Sequence, residues 1–254
     1  MSKTYIQYKE QIQSQLQGHR MSLFLVLFIT SIIISGCSYG LQFLFGSSSM
    51  LFVLVDFIFS LFCSLVNYVV LFQFIKRVRN ETFHKQDLKL SASSIGALLI
   101  SGIVLSAIQM VTTTLCAFLA FFPLLFYIAV SIINILCILW NSLIAYRVYD
   151  HETSIKVLIA DNFYLMKDHI KILLRGSLLY MAWFVLAQLA ILIVIIPTFL
   201  GSGVTSMTQV FSKIIVYPQA TLSVIGIYIL YYIVQFYLLV PLYLLTADIY
   251  EDVK

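Results

Sequence analysis

The chain has 254 residues, of which 61% are hydrophobic and only 10% charged. A soluble domain of that composition would expose far too much apolar surface. The net charge of +4 would suit a nucleic-acid partner only as a patch on a soluble face, and here the cations flank apolar blocks, where membrane topology explains them.

Those blocks run to 20 or more residues, the length of a transmembrane helix. Spanning strands would instead need alternating segments of about 10 residues. The expected fold is therefore all-α: a polytopic bundle of six transmembrane helices, with interfacial amphipathic helices on the cytoplasmic side. It forms one integral membrane domain over 1–254.

Residues 1–20 place Tyr5, Tyr8, Ile12 and Leu16 at helical spacing among Gln, Lys and Glu. This predicts a short amphipathic helix lying on the membrane surface. The segment is too polar and too long for the n-region of a signal peptide, so the apolar run after it is expected to stay in the membrane as an anchor. Spans are predicted over Met21–Phe45, Met50–Phe74, Ser91–Leu119 and Leu124–Ala145, within 21–145. A charged amphipathic linker follows over 146–176, read as one or two interfacial helices. Its apolar positions follow helical spacing apart from slips near Asn162. Spans five and six, Ser177–Leu200 and Thr221–Leu245, complete 177–254 with a short tail.

Of the 15 Lys and Arg residues, 14 fall in the N-terminus, the 76–89 loop, the linker or the C-terminus. Cytoplasmic placement of these segments threads all six spans consistently, with both termini inside the cell membrane. The three hairpins suggest a triplicated repeat, but no shared residue pattern is evident at a fixed period.

Four patches carry a family resemblance. They are Tyr8 to Gly18, Phe74 to Glu81 with Asp87-Leu88, Asp161 to Lys167 with Trp183, and Pro241-Leu242-Tyr243 with Ala247 and Tyr250. On these the chain resembles an uncharacterised family of six-span membrane proteins from Gram-positive bacteria. Asn162 and Asp168 depart from it, standing where that family usually has Ser and Gly. A looser similarity is to the membrane domains of glycerophosphodiester phosphodiesterases, which implies lipid-related work by analogy alone. The resemblance implies architecture and location, and no reaction.

Asp56 is the one acid placed well inside a span, ~9 Å from the outer edge of its helix. Tyr39, Thr112, Thr113 and Thr114 lie at comparable depth, and Lys213 in the outer loop could fold down to it. Asp56 reads either as a hydrogen-bonded tie between helices or as a site for a proton, cation or headgroup. Asn67, Gln109, Asn134, Asn141, Gln188 and Gln235 read as interhelical glue, and would line a pathway only if several faced one cavity. Gly36 and Gly40 form a GxxxG that permits close helix packing. Tyr232 and Phe236 lie too deep to be interface anchors, and either pack between helices or line a lipid-facing groove. Lys156, Lys167, Lys171 and Arg175 are candidate contacts for anionic lipid headgroups. The same linker could instead dock a cytoplasmic protein partner.

Catalytic chemistry is not in evidence. The sequence has no HExxH, GxSxG or Walker loop. His19, His84, His151 and His169 lie outside the spans without metal-ligand spacing. Asp56 alone cannot form an aspartyl dyad. Cys37, Cys63, Cys116 and Cys137 read as packing residues, with a Cys37–Cys116 disulfide as the alternative. No cofactor or metal is expected. The expected function is a non-enzymatic membrane protein that binds lipid or a partner and modulates envelope physiology. The alternative is a small transporter or channel component with Asp56 as its coupling residue.

Overall fold

A computed structural model of the chain describes residues 3–45, 50–84, 87, 89–119, 121–199 and 218–254. Among these there are helices and turns and no strand. Helix α1 is Tyr5–Leu16, α2 Arg20–Phe45, α3 Met50–Val78, α4 Ala92–Cys116, α5 Pro123–Tyr149, α6 Asn162–Phe199 and α7 Pro218–Val253. The six from α2 to α7 are each long and apolar enough to cross a membrane, so the chain is a multi-pass membrane protein. The links Gly46–Ser49 and 200–217, with Lys213, lie outside the described residues, as does the side chain of Tyr39.

The six helices follow a threefold plan. Helices α3, α5 and α7 pack against one another at the centre. Around them, α2 lies on α3 and α7, α4 on α5 and α3, and α6 on α7 and α5. Each hairpin thus gives its second helix to the core. Its first helix fills the groove toward the core helix of the preceding hairpin.

Two of the helix ends also share a motif, though no third copy stands at the same interval. Lys76 to Thr82 and Arg147 to Thr153 both close with a residue in the left-handed region, Asn80 at φ 56° and His151 at φ 65°. Each is followed by Glu-Thr. The N–H of Glu81 donates to the Lys76 carbonyl, and that of Glu152 to the Arg147 carbonyl, at 2.8 and 3.0 Å. Asn80 and His151 N–H groups make the inner bonds, to the Arg77 and Val148 carbonyls. These are two copies of one Schellman cap. The core helices are buried most densely just before these caps, at Phe72, Phe74 and Ile75 on α3, Leu143 to Tyr146 on α5, and Leu242 to Ile249 on α7.

Two expectations need correction at this charged end. Helix α1 does not lie free on a membrane surface. Tyr8 and Ile12 are buried at 1% and 7% exposure, and α1 packs on α7 and α6. Gln11 and Gln15 Nε2 both donate to Asp248 Oδ1 at 2.9 Å, and Arg77 donates to the Gln15 carbonyl. A surface-seeking helix would bury its apolar face in lipid; here protein covers that face.

The linker is not a separate interfacial helix either. Helix α5 continues to Tyr149, and after a short turn the chain passes through a π-helical turn at Val157–Asp161 straight into α6. At 38 residues, α6 is ~57 Å long, well beyond the ~30 Å of hydrocarbon. Its first turns therefore run in one continuous helix with the fifth span. The π turn adds a residue to the helical repeat, which is the physical cause of the spacing slip at Asn162. That buried side chain donates from Nδ2 to the Leu158 carbonyl and accepts from Arg147 Nε, at 2.8 and 2.6 Å.

Candidate functional site

One helical turn or more beyond the dense core, the helices part around a cleft of about 380 Å³. Its walls come from α3, α4, α5, α6 and α7. Helix α3 contributes Ser64, Asn67 and Tyr68, and α4 contributes Gly102, Ser106 and Gln109. Helix α5 contributes Asn134 and Asn141, and the third hairpin contributes Tyr180, Tyr231 and Gln235. No lining residue is charged.

Helical geometry explains the convergence. Ser64, Asn67 and Tyr68 stand at i, i+3 and i+4. Gly102, Ser106 and Gln109 stand at i, i+4 and i+7, and Asn134 and Asn141 at i and i+7. Each set forms one stripe on its helix, and the threefold packing turns all the stripes inward.

Three hydrogen bonds stitch the walls. Tyr68 Oη donates to Asn141 Oδ1 at 2.7 Å, joining α3 to α5. Gln109 Nε2 donates to Asn134 Oδ1 at 2.9 Å, joining α4 to α5. Gln235 Nε2 donates to Tyr180 Oη at 2.8 Å, joining α7 to α6. Gly102 lies close beside the first: a Cβ there would stand 3.2 Å from Tyr68 Oη, so the hydroxyl would have to give by a few tenths of an ångström. The Gln235 Oε1 is buried without a partner among the described residues, although hydrocarbon offers it no donor. Asn67 and Ser106 are exposed at the rim.

The sequence candidates fare unevenly. Asn67, Gln109, Asn134, Asn141 and Gln235 share this single cavity, while Gln188 does not line it. Asp56 does not line it either. It is half-buried on α3, ~12 Å along the helix from Ser64, and no described residue hydrogen-bonds or ion-pairs with it. Thr113 is not joined to Asp56 by any described interaction, and Thr112 and Thr114 bond back to carbonyls of their own helix. Lys213 and the Tyr39 side chain lie outside the described residues.

Gly36 and Gly40 meet no neighbouring helix among the described residues. Among the described residues nothing lies within 4 Å of a Cβ built on either. Gly36 instead lines a second cavity, between α2 and α7, together with Tyr232 and Phe236. Lys156, Lys167, Lys171 and Arg175 are all exposed, and Arg175 also lies over the Tyr5 ring at 4.9 Å. The four cysteines are free thiols, so Cys37 and Cys116 are not bridged. No group of described residues could hold a metal ion.

The charged end carries a clasp that sequence reasoning missed. Arg79 and Asp150 occupy the same position in the two repeated caps and pair through two parallel bonds of 2.8 Å. Arg79 also bonds to Glu251. Tyr250 Oη and Lys254 Nζ donate to Asp150 at 2.7 and 2.8 Å. The ends of α3, α5 and α7 are thereby locked together. Burial alone would push the Asp150 carboxyl up, but the bonds from Arg79, Lys254 and Tyr250 outweigh it and hold the group down at about 2. The alignment of Lys76–Thr82 with Arg147–Thr153 was the available signal for this pairing.

No protein-family model, curated protein or solved structure matches the chain.

Proposed function

We propose that this is a non-enzymatic membrane protein whose cleft binds a small, uncharged, hydrogen-bonding solute, and that it works as a carrier or channel component. The observation that supports this is the convergence of amide and hydroxyl side chains from five helices on one uncharged cavity. Polar side chains inside a membrane are costly, and they gather where they face a cavity or a pathway. Neutral lining favours a neutral ligand, since a bare ion would meet no countercharge. The unpartnered Gln235 Oε1 favours a ligand that donates a hydrogen bond, such as a hydroxyl or an amide. Coupling through Asp56 has no geometric support, because that residue stands outside the lining.

The distribution of Lys and Arg supports a cell-membrane protein with its charged end and both termini in the cytoplasm. A second reading, lipid binding, draws on the exposed Lys156, Lys167, Lys171 and Arg175. Each such cation contributes about 1 kcal/mol near an anionic surface. The basic face of α6 would then rest on inner-leaflet headgroups.

The test of the carrier is solute entry into proteoliposomes, followed by light scattering with urea, glycerol and a neutral monosaccharide. Wild-type vesicles should admit at least one of these several-fold faster than protein-free vesicles. Replacing Gln109 and Asn134 together by Leu removes a bonded pair without orphaning either partner, and should return that rate to background. Equal rates with and without protein for every solute would defeat the reading.

A further inference from the structure

The second cavity, about 510 Å³, runs between α2 and α7. Phe28, Ile32 and Gly36 line it from α2, and Ile229, Tyr232 and Phe236 from α7. Both helices are long and apolar enough to span the bilayer, so the medium this groove meets is lipid. Among the described residues, nothing lies within 4 Å of a Cβ built at Gly36.

An aromatic column leads from the groove toward the charged end. Phe236 meets Phe28 edge-on at 6.1 Å, Phe28 stacks on Phe24 at 5.4 Å, and Phe24 meets Tyr237 at 6.2 Å. Over Tyr237, at 3.8 Å from the ring centroid, sits the guanidinium of Arg20. Its Nε is buried without a partner among the described residues. Lys3, Lys76, Arg79 and Lys254 all have carboxylate partners; Arg20 has none among the described residues. A positioned guanidinium with an unmet charge, at the end of an apolar column, suits the phosphate of an amphiphile.

The lengths agree. Along α2, Phe28 lies ~12 Å and Ile32 ~18 Å from Arg20. Half the hydrocarbon thickness is ~15 Å. A chain hanging from a phosphate at Arg20 therefore ends inside the near half of the groove.

We propose that the groove between α2 and α7 holds an acyl chain of a phospholipid whose phosphate rests on Arg20. The site is separate from the polar cleft and does not depend on what that cleft binds. The aromatic rings grip the chain by dispersion, and Arg20 sets the lipid's depth and selects a phosphate-bearing headgroup.

The test uses the full chain in vesicles of phosphatidylcholine doped with phosphatidylglycerol carrying a diazirine near its acyl terminus. On illumination, label should concentrate on peptides containing Ile32, Ile229 or Phe236. Excess unlabelled phosphatidylglycerol should reduce it at least fivefold, and inorganic phosphate should not. In parallel, native mass spectrometry after detergent exchange should find about one phospholipid per wild-type chain. Arg20→Met keeps the stem and removes the charge, and should lower retention about tenfold. Ile32→Trp fills the near half of the groove and should abolish retention while thermal unfolding stays cooperative. Label spread evenly over lipid-facing helices overturns the proposal without any variant having to fold. So does a wild-type dimer that Ile32→Trp dissociates, which would make the groove a self-association face.

Discussion

Changing Asp150 to Asn isolates the charge that locks the three core helices. The side chain is only 15% exposed, so solvent screening is weak. Its pKa is held at about 2 against an ordinary 3.8, a gap worth roughly 2–3 kcal/mol at 1.36 kcal/mol per unit. The sign follows from the depressed value. The stabilisation is complete above about pH 4, and is lost as pH falls through about 4 toward about 2. At pH 7 the Asn variant should be less stable by about 2–3 kcal/mol. For a chain of this size that lowers the midpoint by about 5–10 °C. Tryptophan fluorescence of detergent-solubilised protein, through Trp140 and Trp183, reports the transition. Near pH 2 about half of the wild-type carboxyl is protonated, and the gap between the two proteins should shrink to roughly a few tenths of a kcal/mol. A variant that melts within a degree of wild type at pH 7 would refute the clasp. A deficit of equal size at pH 2 would show that packing, rather than charge, is responsible.

His151→Gly should raise stability by about 0.5–1 kcal/mol, because the left-handed conformation at φ 65° costs a side chain energy that glycine avoids; a neutral or destabilising result in the same melt would show that the ring makes an offsetting contact. Gly176→Ala brings a Cβ into collision with Leu245 Cδ2 and to 3.7 Å from Tyr5 Cε2. Leu245 is itself buried, so overpacking of about 1–3 kcal/mol is expected, with faster proteolysis near Tyr5 as the check. Tyr68→Phe leaves Asn141 Oδ1 without its donor. It should cost about 1–2 kcal/mol and change solute entry more than it changes the melting of α1, measured by protease cleavage.

Among the particulars, hairpin order and the start of α5 were legible locally. Pro123 sits at the first position of α5, where its missing N–H costs nothing. The amphipathic residues Tyr8 and Ile12 were visible as one face, but the face is closed by α7 rather than by lipid. The slip at Asn162 was visible too, and its cause, a widened helical turn, was not. Glycine spacing at Gly36 and Gly40 says that a helix can be approached closely and does not say what approaches it.

Six spans and their charge-flanked ends are properties of the sequence alone. Hydrocarbon demands that each crossing segment satisfy its own backbone, so composition over some 20 residues settles the matter locally. Which faces meet is a different kind of fact. The amides at Asn67, Gln109, Asn134, Asn141 and Gln235 come from four different helices, and the stripe on one helix carries no mark of which other stripes it will face. Only the packing of the three hairpins brings them to one cavity and leaves Asp56 outside it, because the rotation of a helix about its axis depends on neighbours rather than on its own residues.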